Sequence, residues 1–257
     1  MEVTSRMVGG IYQMNIFAHR GASGTFPENT LASFREAARL PIYGVELDVQ
    51  RTKDGVLVIN HDEKIDRTST GKGYIRDMTY EEVRSYDFGS WKGEQFAGER
   101  IPTLDEVLDL FKATHHMINI ELKTDVFEYP GLEDDVLETV KSHDMMERVL
   151  FSSFDHEIVE RVLAKAPYNE VGALFMKILV NLDEYGKMIG TNALHVSLVA
   201  AKRQAVKKAI EAGNKLRVYT INKEEDYDLM EAIGVDAIFT DYPEKMYRHV
   251  YSKRYKS

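Results

Sequence analysis

The 257-residue chain has no cysteine. Disulfides, thiolate metal sites and cysteine nucleophiles are therefore excluded, and any metal must be held by oxygen or imidazole ligands. No apolar run approaches the roughly 18 residues that a membrane-spanning helix needs, and the first residues lack a signal peptide's apolar core and cleavage site. A chain with no transmembrane segment, soluble and cytoplasmic, is expected. Positive charge is scarce: 33 basic against 42 acidic residues leave a net charge of -9. That balance disfavours a nucleic-acid or anionic-membrane surface while leaving room for a local basic pocket around one phosphate. Low-complexity tracts, short repeats and linkers are also missing, and 44% of the residues are apolar, enough for a full-sized core. One domain over residues 1–257 is expected, with its core at 14–246 and an extension of no clear period at 1–13. Nothing points to an oligomeric state.

What is present centres on residues 44–62, GVELDVQRTKDGVLVINHD. Two β-rich runs flank Asp54-Gly55, a dipeptide suited to a two-residue hairpin turn. With such a turn and no bulge, Lys53 faces Val56 and Asp48 lies opposite His61. Strand side chains alternate faces, so Glu46, Asp48 and His61 then share one face. The plainer alternative is an edge hairpin whose polar face is merely wet.

Strands and helices alternate along the rest of the chain. A strand at 15–18 ends at His19-Arg20-Gly21, and Pro27-Glu28-Asn29-Thr30 opens a helix, with Asn29 as its expected N-cap and Leu31, Phe34 and Ala38 on one face. Residues 63–100 break the rhythm with scattered polar, glycine and aromatic residues and one short helix near 80–86, so they read as an inserted subdomain. Regularity returns at Thr103, which has capping-box spacing to Glu106. Strands are then expected at 117–123, 149–154, 171–174, 193–197, 215–221 and 237–240, with helices between them and Gly213 and Gly234 at helix C-caps. Such alternation implies a parallel sheet. Eight strands, counting 46–50 but not its hairpin partner, imply an α/β TIM (β/α)8 barrel; a doubly wound open sheet is the alternative.

In a barrel the C-terminal strand ends carry the chemistry. His19-Arg20, Glu46 with Asp48, and Glu121 with Lys123 fall there on three strands, the last pair on one face by i, i+2 spacing. Glu46, Asp48 and Glu121 are hard oxygen ligands that suit Ca²⁺ or Mg²⁺ better than zinc. A salt-bridge network with Arg20 and Lys123 would account for the same letters, and those two cations could equally grip an anionic substrate. His19 and His61 would supply an acid and a base near neutral pH. His115, His116, His143, His156 and His249 read as structural, the last in a basic, tyrosine-rich surface tail. His195 stands evenly between a structural place and the pocket. Ser152, Ser153 and Ser197 lack the strand-turn-helix setting of a serine nucleophile.

Taken together, His19-Arg20-Gly21, Pro27-Glu28-Asn29-Thr30, Glu46-Leu47-Asp48-Val49, His61-Asp62, Glu121-Leu122-Lys123, Ser153-Phe154 and Thr240-Asp241-Tyr242-Pro243 resemble the signature of the glycerophosphodiester phosphodiesterases, which are TIM barrels. The motifs run in order from about residue 15 to 243, and the insertion after His61 is similar to the small subdomain of that family. The resemblance implies a metal-dependent hydrolase that splits a glycerophosphodiester into glycerol 3-phosphate and an alcohol. It implies His19 as base and His61 as acid, Glu46, Asp48 and Glu121 as ligands of one Ca²⁺ or Mg²⁺, Arg20 and Lys123 as phosphate contacts, and Glu28 as a supporting residue. Tyr219 stands before Thr220-Ile221-Asn222 where the family often has tryptophan, which leaves the alcohol preference open. A lysophospholipase-like enzyme would need an apolar surface beside the mouth, for which Phe88, Trp91 and Phe96 are candidates. A non-catalytic phosphodiester-binding barrel is the third alternative.

Overall fold

The computed structural model describes residues 14–255, so the extension expected at 1–13 lies outside the described residues. Along the chain come β1 (Asn15–His19), α1 (Leu31–Ala38), β2 (Gly44–Arg51), β3 (Leu57–Ile59), α2 (Tyr80–Arg84), α3 (Leu104–Lys112), β4 (Met117–Leu122), α4 (Leu132–Ser142), β5 (Val149–Ser153), α5 (His156–Lys165) and β6 (Val171–Phe175). They are followed by α6 (Leu182–Met188), β7 (Ala193–Ser197), α7 (Leu198–Ala201), α8 (Gln204–Glu211), β8 (Lys215–Tyr219), α9 (Glu224–Ala232), β9 (Ala237–Thr240) and α10 (Pro243–Tyr255). Eight of these strands pair in parallel and close on themselves, because β1 bonds both β2 and β9. This is the expected TIM barrel, not an open doubly wound sheet.

The alternation of β2 shows how the closed sheet separates core from site. Val45, Leu47 and Val49 point outward into the apolar layer shared with Phe34, Leu104, Val107 and Phe111 of the helices. Glu46 and Asp48 then point inward by the period of the strand. A second cluster inside the barrel, Phe17, Leu150, Ala237 and Phe239, fills its lower part. Fully burying a side chain such as Leu47 contributes about 2 kcal/mol, so the outer layer dominates stability. Local sequence starts the helices: Thr103 and Glu106 form the capping box expected of α3, a second box at Thr79 and Glu82 starts α2, and Asp155 caps α5.

Three expectations are corrected. The hairpin pairs Val49 with Ile59 and Arg51 with Leu57, so Asp48 lies opposite Asn60, not His61. Its turn takes three residues: Gly55 N–H bonds Thr52 C=O, and Gly55 has φ +91, the left-handed position that closes such a loop with a bulge. The register therefore slips by one, and His61 follows the strand in a loop. Thr30, not Asn29, caps α1, its hydroxyl accepting from Ser33 N–H. The tail holding His249 is the helix α10, packed through buried Met246 and Val250 at i, i+4 spacing.

Residues 63–100 hold α2 and two short 3₁₀ turns around a small core of Ile65, Ile75, Val83 and Phe88, with Val58 and Ile101 from either side. Phe88 is thus buried and Phe96 packs on Phe26 at 5.2 Å, so of the three aromatics only Trp91 is well exposed. The insertion lacks the apolar surface anticipated for a lipid.

Candidate active site

At the C-terminal mouth a cavity of about 370 Å³ is lined by His19, Arg20, Glu46, His61, Glu121 and Lys123 on one side. Phe154, Leu174, Met176 and Tyr219 form its opposite wall. One face is charged and the other apolar. These charged groups come from four pieces of backbone: the end of β1, β2, the loop after β3 and the end of β4.

His19 is the last residue of β1, and its Nδ1–H donates to Asp241 Oδ1 at 2.7 Å. After it the chain turns sharply: Arg20 has φ +56 and Gly21 +78. A Cβ on Gly21 would sit 2.5 Å from Ser33 Oγ, so only glycine lets the loop pack against α1. The turn aims Arg20 N–H at Glu46 Oε2, 2.9 Å away, and folds its guanidinium back to Glu28 at 2.8 Å and towards Asp48 at 3.4 Å. Glu28 does not line the cavity; it bridges Arg20 and Arg67. Arg67 in turn holds Asp62, which accepts from His61 Nδ1 at 2.7 Å. A chain of charge-assisted bonds therefore runs from Arg20 to His61.

Glu46, Asp48 and Glu121 are buried, and one oxygen from each lies within 4.8 Å of the others. Parallel pairing of β2 with β4, which sets Asp48 beside Glu121, produces this. Burial pushes the Glu46 carboxyl well above the usual range, and the Asp48 and Glu121 charges push it further against the pull of Arg20. Burial also raises Glu121, with Lys123 only partly offsetting it. Asp48 goes the other way: His61, Arg20 and Lys123, with a 2.8 Å bond from Asn29, overcome burial and bring it down to about 2. Lys123 Nζ sits 3.0 Å from Glu121 and 3.7 Å from Asp125; those charges with Asp48 hold it above its usual value despite burial.

A divalent cation fits this cluster. Glu46 Oε1 is buried without a hydrogen-bond partner, and three hard carboxylates converge on the space it faces. Three acidic groups this close cannot all ionise cheaply unless a cation neutralises them.

Tyr219 ends β8 and lines the apolar wall, its hydroxyl already donating to Phe175 C=O at 2.8 Å. It presents a ring, not a hydroxyl, to the cavity. His195 lies on the cavity floor, fully buried. Burial and the neighbouring Arg217 hold its imidazole well below the usual range. The remaining histidines stay away: His116 bonds Leu40 C=O, His156 bonds Tyr185 and Leu174, and His249 pairs with Asp228.

Sequence alone gives Asp241, Asn29, Asp62 and Arg67 no place in the site. Asp62 is adjacent to His61 and could have been read from that alone. Arg67 lies in the insertion, where no period marks a contact, and Asn29 reads from sequence as a cap. Asn119 and Ser152 of the floor carried no sequence signal beyond inward strand positions.

Comparison with known proteins agrees with this geometry. The glycerophosphoryl diester phosphodiesterase family model matches residues 19–245. A glycerophosphodiester phosphodiesterase from Caldanaerobacter subterraneus subsp. tengcongensis is 41% identical over 231 residues, covering 90% of this chain and 95% of that one. Another from Bacillus altitudinis is 40% identical over 233 residues, with 90% and 95% covered. Among solved structures, an Oleispira antarctica phosphodiesterase in complex with its product sn-glycerol-3-phosphate superposes with a TM-score of 0.85 at 34% identity, over 93% of this chain and 97% of the other. Closed barrel, charged mouth and near-full-length matches converge: the chain belongs to the glycerophosphoryl diester phosphodiesterase family.

Proposed function

We propose that the protein hydrolyses glycerophosphodiesters to glycerol 3-phosphate and an alcohol, with His19 and His61 as its proton-transfer groups and a divalent cation at Glu46, Asp48 and Glu121. The observation that carries this is the placement of both histidines on the wall of one cavity into which the carboxylate cluster opens. Glu46, Asp48 and Glu121 would hold the cation, Ca²⁺ or Mg²⁺ from the all-oxygen donor set, which would supply Lewis acidity to offset charge on the phosphate.

The chain's own groups supply the rest. Asp241 occupies His19 Nδ1, so Nε2, 4.0 Å from Glu46, is the nitrogen left to take a proton from the attacking water as its oxygen bonds to phosphorus. Asp62 likewise occupies His61 Nδ1, leaving Nε2 to protonate the departing alkoxide as the P–O bond to the alcohol breaks. Arg20 and Lys123 offset the charge on the non-bridging phosphate oxygens. The Phe154, Leu174 and Tyr219 wall receives carbon.

The test is release of glycerol 3-phosphate from glycerophosphocholine with Ca²⁺ or Mg²⁺ present. Activity must disappear with chelator and return with the ion; an untouched rate refutes the cation assignment.

A second reading, turnover of lysolipids, has one observation in its favour. Val126, Met176, Ile178 and Val180, in the loops after β4 and β6 beside the mouth, are all exposed. Lysophosphatidylcholine consumed faster than glycerophosphocholine would select it.

A further inference from the structure

Large apolar side chains left in water gather at one end of the barrel. The loop from β6 to α6 reads Met176-Lys177-Ile178-Leu179-Val180, and all four of its apolar residues are exposed, Val180 at 78% and Met176 at 72%. On the same rim stand Val126, 58% exposed in the loop after β4, and Val199, exposed in α7 directly after β7. The barrel strands are parallel, so these three segments all lie at the C-terminal mouth. Ile178, Leu179 and Val180 are consecutive, and such a run turned to water is unfavourable unless something covers it.

Two features point to what covers it. The first is continuity with the site: Met176 and Val126 line the cavity as well as reaching solvent, so the apolar rim runs into the entrance. A protein seated there, a second copy included, would stand across the path of the substrate. A lipid surface would not, because it is itself made of phosphodiesters, and it takes in side chains that protrude from a loop without needing a matching groove. The second feature is charge. Lys177 is the one charged residue of 176–180, and its ammonium makes no ion pair or hydrogen bond among the described residues, which frees it for a lipid phosphate. The net charge of -9 opposes approach to an anionic leaflet, so the surface that fits is zwitterionic.

We infer that residues 176–180, with Val126 and Val199, dock the barrel mouth on a zwitterionic phospholipid surface, Ile178 and Val180 entering among the lipids and Lys177 meeting their phosphates. The inference rests on the phosphodiesterase reading, in which the mouth must meet a phosphodiester, and adds to it the partner that the mouth faces.

Co-sedimentation with phosphatidylcholine vesicles tests it. The wild-type protein is expected to sediment with them, and the double variant Ile178→Asp, Val180→Asp to bind about 10-fold or more weakly, the loss that withdrawing one such side chain from lipid produces. Both side chains are exposed and outside the cavity lining. Turnover of the soluble substrate glycerophosphocholine, with Ca²⁺ or Mg²⁺ present, should therefore stay within about 2-fold of wild type. A wild type that fails to sediment, or a variant that sediments equally, overturns the docking surface. So does a dimer in sedimentation velocity that the variant abolishes, which gives the rim to a second copy. A variant that binds vesicles normally but turns over glycerophosphocholine slowly makes the loop part of the cavity and overturns it as well. The two readings fail separately: a wild type that binds vesicles but turns over no glycerophosphocholine overturns the phosphodiesterase reading alone.

Discussion

Asp241 accepts a hydrogen bond from His19 Nδ1 at 2.7 Å, joining the loop after β9 to the end of β1 where the barrel closes. Asn222 and Ser23 also donate to this carboxylate, and with His19 they overcome its burial and bring it down to about 2. It is therefore an ionised acceptor throughout the working range and fixes which nitrogen of His19 faces the cavity. Asp241→Asn keeps the shape but can offer its NH₂ to Nδ1, which reverses the tautomer. The expected result is a loss of about 100-fold or more in kcat with KM changed less than about 3-fold. Steady-state kinetics on glycerophosphocholine measures both, and a KM effect alone would assign Asp241 to binding.

The bonds from Arg20 through Glu28, Arg67 and Asp62 to His61 connect the loop after β1 with the second histidine. Arg67 is half exposed, so its ion pairs contribute little to global stability. Its loss should instead loosen Asp62 and Glu28. Arg67→Ala is expected to reduce kcat/KM by about 10-fold with little change in Tm, as befits a positioning residue. Thermal unfolding and kinetics on the same preparation separate this outcome from a folding defect.

How much of this was readable beforehand follows from how each residue is placed. Strand-borne groups were legible, because a period of two forces Glu46 and Asp48, or Glu121 and Lys123, onto one face whatever the rest of the fold does. His61 reaches the site by another route than strand pairing: a one-residue slip at Asp54-Gly55 changes the hairpin register, and the loop beyond β3 brings it to the cavity. Turn geometry could not be settled because Asp-Gly serves both two- and three-residue hairpins. Arg67 and Asp241 were invisible as partners because their bonds join segments 39 and 222 residues apart in sequence, a relation no local period records. The floor was hidden for another reason. Asn119 and Ser152 look like ordinary strand polar residues until the barrel closes over them.

Burial beside two other carboxylates makes the ionised form of Glu46 costly when no cation is bound. Its pKa in the folded chain is raised above the unfolded value, so it destabilises the cation-free protein once the pH exceeds about 4.3. Glu46→Gln removes that cost. The cation-free variant is expected to melt about 2–4 °C higher than the wild type at pH 7, the shift that about 1 kcal/mol produces in a domain of this size. At the same time Ca²⁺ or Mg²⁺ should no longer raise its Tm, whereas the wild type gains stability on adding either ion. Melting curves with chelator and with each ion give all four values, and a variant that still responds to the ion would exclude Glu46 as a ligand.

At the opposite end of the barrel, Glu170 and Asp236 flank the buried guanidinium of Arg217, and Lys215 bonds Glu170 from the rim at 2.7 Å. Burial alone would raise the Glu170 carboxyl, but Arg217 and Lys215 more than offset it, so its pKa in the folded chain lies below the unfolded value of about 4.3. A carboxyl lowered on folding contributes stability that is fully present above the unfolded pKa and is lost as the pH falls through the folded one. Glu170→Gln leaves Arg217, among the described residues, with Asp236 as its one ion-pair partner, and removing a partner from a buried guanidinium costs about 3 kcal/mol at neutral pH. Urea unfolding followed from pH 8 down to pH 3 should therefore show the variant less stable by that amount at the top of the range. The gap should narrow as the pH falls below about 4.3 and close only as it passes through the lower folded pKa, because protonation does to the wild type what the amide has already done to the variant. A gap that stays constant across the range would mean that Glu170 acts through packing and not through its charge.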